Sequence, residues 1–185
     1  MSEGLLALVF GPSGAGKDSV LDAAARMLPA GSRIVFARRA ITRPEAAVGE
    51  AHEAITWPEF AARRAAGSFL LSWEANGHGY GIPAQYARML DAGMIVVASV
   101  SRTVLGEAAR LRWPVLPIRI TAPAPILAER LARRGREDAA AIADRLARAS
   151  LAEPALGLAV HEIVNDGTLE EAAARFLALV QRPNR

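Results

Sequence analysis

The sequence of 185 residues contains no cysteine, a single lysine and few aromatic residues. The absence of cysteine excludes disulfide bonds, thiol nucleophiles and cysteine-ligated zinc. Aromatic residues make up 5% of the chain and hydrophobic residues 52%, so the core has to be built mainly from aliphatic side chains. A chain of this length buries about 70% of the surface that its unfolded form exposes. We therefore expect a single domain over residues 1–185.

Long hydrophobic runs are also missing. The runs LLALVF, MIVVASV and VLPIRI are too short to span a bilayer, and the first residues lack the basic segment and apolar core of a secretion signal. These features predict a cytoplasmic protein without a membrane partner. The net charge of +3 comes from arginines that are interleaved with Asp and Glu, which argues against a nucleic-acid partner.

Strand and helix patterns alternate along the chain. Apolar runs predict strands at 5–10, around Ile34, and at 52–56, 68–75, 94–100, 115–121 and 160–164. Helical spacing predicts helices at 17–28, 57–67, 83–93, 104–112, 124–135, 137–150 and 168–180. Residues 38–53 and the NGHGYG stretch at 76–81 are predicted as a loop and a turn. Such alternation indicates an α/β fold, with a parallel sheet covered by helices on both faces.

Two local signals refine this prediction. Thr56 is expected to be the N-cap of the helix at 57–67, with Pro58 in its first turn and Gly67 at its end. Pro117 argues against a central position for the strand at 115–121, because proline cannot donate a hydrogen bond to a neighbouring strand.

The segment GPSGAGKD, residues 11–18, lies between a predicted strand and a predicted helix. It satisfies the pattern G-x-x-x-x-G-K, in which backbone N–H groups surround phosphate oxygens and the lysine reaches the β- and γ-phosphates. Lys17 is the only lysine of the chain, and this sequence otherwise uses arginine as its basic residue. We therefore predict that Lys17 is catalytic and that the loop binds ATP through Gly11, Pro12, Ser13, Gly14, Ala15, Gly16, Lys17, Asp18 and Ser19.

Asp18 departs from this pattern, because a hydroxyl that helps to hold Mg²⁺ normally follows the lysine. We hypothesise that Asp18 supplies a carboxylate to Mg²⁺ or to one of its water ligands, which suits a cation that keeps several waters. In the alternative, Asp18 only begins the helix and favours its dipole, while nucleotide and water hold the metal.

The chain resembles the guanylate kinase family over almost its whole length. The resemblance rests on GPSGAGKD, on ITRP followed by GE, on SFLLSWEANGHGYGIP, on ERLARRGRE with DRLARA, and on HEIVND, all in the family's order. It implies a three-layer α/β fold of the P-loop nucleoside-monophosphate-kinase type, with a five-stranded parallel core sheet. The core would comprise residues 1–37 and 93–185, and the acceptor-binding insert would comprise residues 38–92. Within the core, residues 130–148 would form a helical lid that covers ATP.

The resemblance fails where guanylate kinases recognise guanine. Their glutamate is replaced here by Leu71 or Ser72, and the acids after their next central strand by Ala98, Ser99 and Val100. Unsatisfied buried N–H groups on the base would cost about 1–3 kcal/mol each. The combination of GKD, ITRP, LSWEA with GYGIPA, and ASVSR instead resembles the ribose 1,5-bisphosphate phosphokinases. That resemblance implies ATP-dependent formation of 5-phosphoribosyl 1-diphosphate during phosphonate breakdown.

The resemblance also implies roles for residues outside the loop. Arg134 and Arg145 would be catalytic at the ATP phosphates. Arg136 would bind the nucleotide, and Asn165 and Asp166 would border it. Arg43 and Tyr80 would bind the acceptor phosphate. A substrate with two phosphates and no base requires further cations, for which Arg38, Arg39 and Arg102 are candidates. Glu50 and Glu74 would either accept hydrogen bonds from ribose hydroxyls or anchor nearby arginines.

Two other functions stay open at this stage. One is a nucleoside monophosphate kinase with altered base preference, and the other a non-catalytic binding module. The intact loop glycines and Lys17 argue against the second. The three histidines lack the spacing of metal ligands. The tryptophans are assigned to the core or to an interface, so a homodimer is one alternative for the oligomeric state.

Overall fold

The computed structural model describes residues 3–44, 52–133 and 158–182. A short 3₁₀ turn, Arg102–Val104, precedes the fourth helix. The other elements follow in this order: β1 Leu5–Phe10, α1 Lys17–Met27, β2 Ile34–Phe36, β3 Ala40–Ile41, β4 Glu53–Ala54, α2 Trp57–Ala65, β5 Phe69–Ala75, β6 His78–Pro83, α3 Tyr86–Asp91, β7 Ile95–Ser99, α4 Leu105–Ala108, β8 Val115–Thr121, α5 Ala124–Arg133, β9 His161–Val164 and α6 Leu169–Val180.

Five parallel strands form the core sheet in the order β2-β7-β1-β8-β9. All residues of β1 are buried, because this central strand is covered on both faces. Its side chains alternate between two clusters. Ala7 and Val9 pack against α1, α5 and α6, whereas Leu6 and Leu8 pack on the opposite face. The predicted α/β fold with a five-stranded parallel sheet is confirmed.

A second sheet has four strands in the order β4-β3-β6-β5, of which β3 and β4 are parallel and the other pairs antiparallel. It packs on the face of the core sheet that carries Leu6 and Leu8, because Leu71, Trp73 and Ile82 belong to the same buried cluster. The two sheets therefore share one hydrophobic core, and the end of β1 lies close to the strands of the second sheet.

Pro117 lies in β8, which has neighbours on both sides. The carbonyl oxygen of Pro114 accepts from Leu6 of β1, and that of Thr121 accepts from Asn165, which follows β9. Because successive residues of a strand direct their backbone groups to opposite sides, the nitrogen of Pro117 faces β9. Pairing with β9 begins only at Ile118. The prediction that Pro117 argues against a central position was wrong, because the missing N–H lies before the first residue of β8 that pairs with β9 in the described part of the chain.

The NGHGYG stretch contains a strand instead of a continuous turn. Only Asn76 and Gly77 form the turn, and both have positive φ, 50° and 75°. This geometry suits a two-residue hairpin connection between β5 and β6. Likewise, the segment predicted as a loop at 38–53 contains the short strand Ala40–Ile41, which is stabilised by pairing with β6 rather than by a hydrophobic run.

The helices agree with the sequence pattern to different extents. Thr56 caps α2 in a reciprocal capping box with Glu59, as predicted. The predicted helices at 83–93 and 104–112 are confined to Tyr86–Asp91 and Leu105–Ala108. The predicted helix at 137–150 lies outside the described residues. None of the helices described is both long and apolar enough to traverse a bilayer.

Candidate active site

The glycine-rich loop connects β1 to α1 and directs the N-terminus of this helix toward a cavity. Gly16 is the N-cap of α1 with φ 81°, and a Cβ atom there would lie 2.6 Å from the amide nitrogen of Asn165. At Gly11, a Cβ atom would collide with the carbonyl oxygen of Ile120. Both positions therefore require glycine, and the loop offers backbone N–H groups and a helix N-terminus, which together suit phosphate.

Lys17 is folded against its own loop. Its Nζ donates to the carbonyl oxygens of Gly11 at 2.9 Å and Pro12 at 3.0 Å. These contacts keep the ammonium group beside the N-terminus of α1, and the flexible side chain allows exchange of a carbonyl partner for a phosphate oxygen. The contact of Lys17 with nucleotide phosphates stays a prediction.

Asn165 follows β9, and its side chain forms a hydrogen bond to the backbone of the glycine-rich loop. Its Nδ2 donates to the carbonyl oxygen of Ala15 at 2.8 Å, and its side chain is buried. Its Oδ1 is buried without a hydrogen-bond partner among the residues described. Asn165 thus contacts the loop backbone itself. Asp166 is exposed and does not line the cavity.

A stack of planar groups on the second sheet faces the same cavity. Trp73 of β5 and Tyr80 of β6 are directly paired across the strands, and their rings are parallel within 4° at 5.3 Å. The guanidinium carbon of Arg39 lies 5.5 Å from the centre of the Tyr80 ring, and its NH1 donates to the carbonyl oxygen of Ser99 at 3.1 Å. Arg39 therefore links the second sheet to the end of β7 in the core sheet.

Arg43 lines the cavity beyond β3, and its backbone is held by a buried histidine. Nε2 of His52 donates to the carbonyl oxygen of Arg43 at 2.9 Å, and His52 is fully buried. Nε of Arg43 is buried without a partner among the described residues. Arg38 is not among the described residues that line the cavity, and its NH2 donates to the carbonyl oxygen of His52 at 2.8 Å.

These groups enclose a cavity of about 780 Å³. Its described lining carries four basic side chains, Lys17, Arg39, Arg43 and Arg133, and one carboxylate, Asp18. The remaining lining residues are Gly11, Ser13, Gly14, Gly16, Ser19, Trp73, Ala75, Asn76, Tyr80, Ser99, Val100 and Ser101. An excess of positive charge in a concave site attracts anionic ligands, and the volume accommodates more than the phosphates of one nucleotide.

Glu74 does not reach the cavity. Side chains alternate along β5, so Trp73 and Ala75 face the cavity whereas Glu74 lies on the opposite side of the sheet. There its carboxylate pairs with Arg64 of α2 at 3.0 Å, with more than half of both side chains exposed. Of the two alternatives for Glu74, this contact favours the anchoring of a nearby arginine over a contact with ribose.

The other predicted site residues divide into two groups. Arg38 and Arg102 do not belong to the described lining, so their role in substrate binding stays a prediction. Arg134, Arg136, Arg145 and Glu50 lie outside the described residues. Arg133, which precedes them on α5, does line the cavity, and its guanidinium pairs with Glu129 at 2.7 Å.

Several lining residues were not predicted as site residues. Trp73 was assigned to core or interface, and Asn76, Ser99, Val100 and Ser101 were given no ligand role. The Asn-Gly pair at 76–77 is a hairpin signal, and a two-residue turn there places Trp73 opposite Tyr80. The signal for Trp73 was therefore present. Ser99 ends β7 and Ser101 follows it, at the carboxyl end of the sheet, the edge at which α/β proteins bind ligands.

The chain is similar over nearly its whole length to proteins named ribose 1,5-bisphosphate phosphokinase. No family model matches the chain. The chain is 49% identical to ribose 1,5-bisphosphate phosphokinase PhnN of Acidiphilium cryptum over 97% of its own length and 93% of that protein. It is 43% identical to the protein of the same name from Chelativorans sp., over 97% of its own length and 86% of that protein.

The fold is shared with a solved guanylate kinase. The crystal structure of guanylate kinase from Anaplasma phagocytophilum superposes with a TM-score of 0.67 at 19% identity, covering 97% of this chain and 86% of that one. Identity at this level supports the fold and not the substrate. The whole-length similarity to the two phosphokinases identifies the chain as a member of the ribose 1,5-bisphosphate phosphokinase family.

Proposed function

We propose that this protein transfers the γ-phosphoryl group of ATP to the C1 phosphate of ribose 1,5-bisphosphate, giving ADP and 5-phosphoribosyl 1-diphosphate. The observation that carries the proposal is the shared cavity. The nucleotide loop with Lys17 and the cationic side chains of Arg39 and Arg43 line the same space. Two polyanions can therefore meet there, which is the requirement for transfer between phosphates.

The polar groups of the cavity favour an acceptor without a base. Asp18 is the one carboxylate in the described lining, and it belongs to the nucleotide loop. Specific binding of guanine would require acceptors for its N–H groups at the acceptor side of the site. The acceptor side instead presents Arg39, Arg43 and Tyr80. These groups suit phosphate and hydroxyl oxygens.

The chemistry follows from these charges. An oxygen of the C1 phosphate attacks the γ-phosphorus of ATP, the bond from that phosphorus to the β,γ-bridging oxygen breaks, and ADP leaves. The attacking oxygen is already anionic near neutral pH, so the main barrier is bringing anions together. Lys17, the N-terminus of α1 and the proposed lid arginines Arg134, Arg145 and Arg136 would align and neutralise the transferring group.

Mg²⁺ is part of the proposal. Magnesium retains several waters and binds through one or two carboxylates together with substrate phosphates. Among the residues described, no group of three or more His, Asp or Glu side chains could hold a metal ion. The carboxylate that lines the cavity beside the loop is that of Asp18, which is therefore the candidate ligand. This donor set is compatible with Mg²⁺ held mainly by the nucleotide. The ion would neutralise charge on the β- and γ-phosphates when bound.

A coupled ADP assay tests the proposal, with GMP, AMP, ribose 5-phosphate and ribose 1,5-bisphosphate as acceptors. We expect ADP formation with ribose 1,5-bisphosphate and a product whose mass corresponds to 5-phosphoribosyl 1-diphosphate. Strong turnover of GMP and none of ribose 1,5-bisphosphate would show a nucleoside monophosphate kinase instead. Failure to bind ATP in calorimetry would support a non-catalytic binding module.

A further inference from the structure

Arg39 is held in a fixed orientation by contacts from both sheets. Its guanidinium lies over the Tyr80 ring, on which Trp73 also stacks, and it donates to the carbonyl oxygen of Ser99 at 3.1 Å. These contacts orient the planar group at the cavity wall.

Arg43 provides a second cation along the same segment. Arg39 and Arg43 flank β3, and both line the cavity. Four residues of extended chain span at most about 13 Å between their Cα atoms. Arg43 differs from Arg39 in that its Nε is buried without a partner in the described part of the protein. The site thus presents two cations that differ in how firmly protein contacts fix them.

We propose that Arg39 determines acceptor specificity by binding the C5 phosphate of ribose 1,5-bisphosphate, while Arg43 serves the C1 phosphate that receives the phosphoryl group. This inference rests on the proposed function. A guanidinium held by Ser99 and Tyr80 suits a phosphate that does not react, because it needs no rearrangement during transfer. Binding energy from this remote phosphate positions the reacting one.

The test compares two ligands that differ only in the C5 phosphate. For each variant we would measure KM for ribose 1,5-bisphosphate and the inhibition constant of ribose 1-phosphate. Arg39→Gln should raise KM about 10- to 100-fold, the loss expected for a charge-assisted hydrogen bond to phosphate. The inhibition constant of ribose 1-phosphate should change less than about threefold, so the preference for the bisphosphate falls.

Two further variants serve as controls. Arg26→Gln removes the same charge from an exposed position in the last turn of α1 and should leave both constants unchanged. Arg39→Lys retains the charge without the planar fork and should give an intermediate KM. Melting temperatures identify any variant that does not fold, and Arg39→Lys carries the comparison if Arg39→Gln is unfolded.

The outcomes separate this inference from the proposed function. Equal losses for both ligands would place Arg39 at the C1 phosphate and overturn the inference, and so would an unchanged KM in Arg39→Gln. If the wild-type protein does not phosphorylate ribose 1,5-bisphosphate, the proposed function is wrong, and this is seen before any variant is measured.

Discussion

Nε2 of the buried His52 lies 2.9 Å from the carbonyl oxygen of Arg43, so the histidine that precedes β4 fixes the backbone of an arginine that lines the cavity. The carbonyl of the same histidine accepts from Arg38 at 2.8 Å. His52 therefore connects two neighbouring arginines without lining the cavity itself. Its position suits a residue that orients the acceptor site.

Removing this hydrogen bond should weaken acceptor binding more than ATP binding. In His52→Leu the carbonyl of Arg43 loses its buried donor, which costs about 1–3 kcal/mol. We expect KM for ribose 1,5-bisphosphate to rise about tenfold or more, and KM for ATP to change less than twofold. His52→Gln, which can still donate from a terminal amide, should recover part of the loss. Equal increases in both KM values would indicate general destabilisation instead of positioning.

Lys17 can be examined chemically, because it is the only lysine in the sequence. An amine-directed reagent modifies a single side-chain amine, and we expect loss of activity in proportion to modification of Lys17 measured by mass spectrometry. ATP at ten times its dissociation constant should slow the reaction about tenfold by occupying the loop. Modification of Lys17 without loss of activity would exclude its catalytic role.

Lys17→Met provides the genetic counterpart. Removing the ammonium group should lower kcat about 100- to 1,000-fold, the loss seen when one electrostatic contact to a transition state is deleted. The melting temperature should be preserved, because the contacts to Gly11 and Pro12 are made within the loop. If Lys17→Met retained most of its activity, a residue other than Lys17 would have to supply the catalytic positive charge.

The contact between Asn165 and the loop makes a separate prediction. Asn165→Leu keeps the approximate volume but leaves the Ala15 carbonyl without its donor, so the free energy of unfolding should fall by about 1–3 kcal/mol and ATP binding should weaken. Asn165→Asp should be worse at neutral pH, because it places a carboxylate oxygen against a carbonyl oxygen. Urea unfolding and ATP calorimetry measure both effects. Glu170→Gln, at an exposed position in the following helix, is the control.

The sequence predicted the core sheet and the nucleotide loop because their signals are local. β1 is a continuous apolar run, the loop has a fixed spacing of glycines and lysine, and Thr56 is followed by Glu59 at the distance of a capping box. Each pattern arises from interactions within about ten residues. The Asn-Gly pair at 76–77 is an equally local signal for a hairpin turn, but the predicted turn was too long because the glycines around Tyr80 were included in it.

The acceptor site depended on contacts that sequence spacing does not reveal. Arg38 and Arg39 are adjacent, yet Arg39 reaches Ser99 sixty residues away, whereas Arg38 turns to His52. Both residues precede β3, and their spacing in the sequence does not reveal which of them lines the cavity. The position of Glu74 could not be predicted from the sequence for the same reason. The face of β5 on which it lies is shown by its ion pair with Arg64 of α2.

Helix α2 should lose part of its stabilisation in acid. Hydrogen bonds from the backbone and side chain of Thr56 lower the pKa of Glu59 below its ordinary value of 4.5. The folded protein then binds this proton less readily than the unfolded chain, so the contribution is complete above about pH 4.5 and is lost as the pH falls through the lower, folded-state pKa. Glu59→Gln retains a capping side chain that does not titrate.

Urea unfolding of the wild type and Glu59→Gln between pH 6 and pH 3 measures this contribution. We expect the difference between their free energies of unfolding to shift in favour of the variant as the pH falls. Because other carboxylates titrate equally in both proteins, the difference isolates Glu59. A difference that is constant over this range would show that the capping box does not depend on the ionised form.

Asp18 can be assigned by the magnesium requirement of the enzyme. If its carboxylate holds Mg²⁺ or a water of the ion, Asp18→Ala should raise the Mg²⁺ concentration for half-maximal rate about 10- to 100-fold, as for the loss of an outer ligand partner. Asp18→Ser places a hydroxyl where P-loop kinases usually carry one and should lie closer to the wild type. Asp22→Asn, exposed one turn further along α1, should leave the requirement unchanged. An unchanged requirement in both Asp18 variants would instead assign the carboxylate to the dipole of α1 and leave the metal to nucleotide and water.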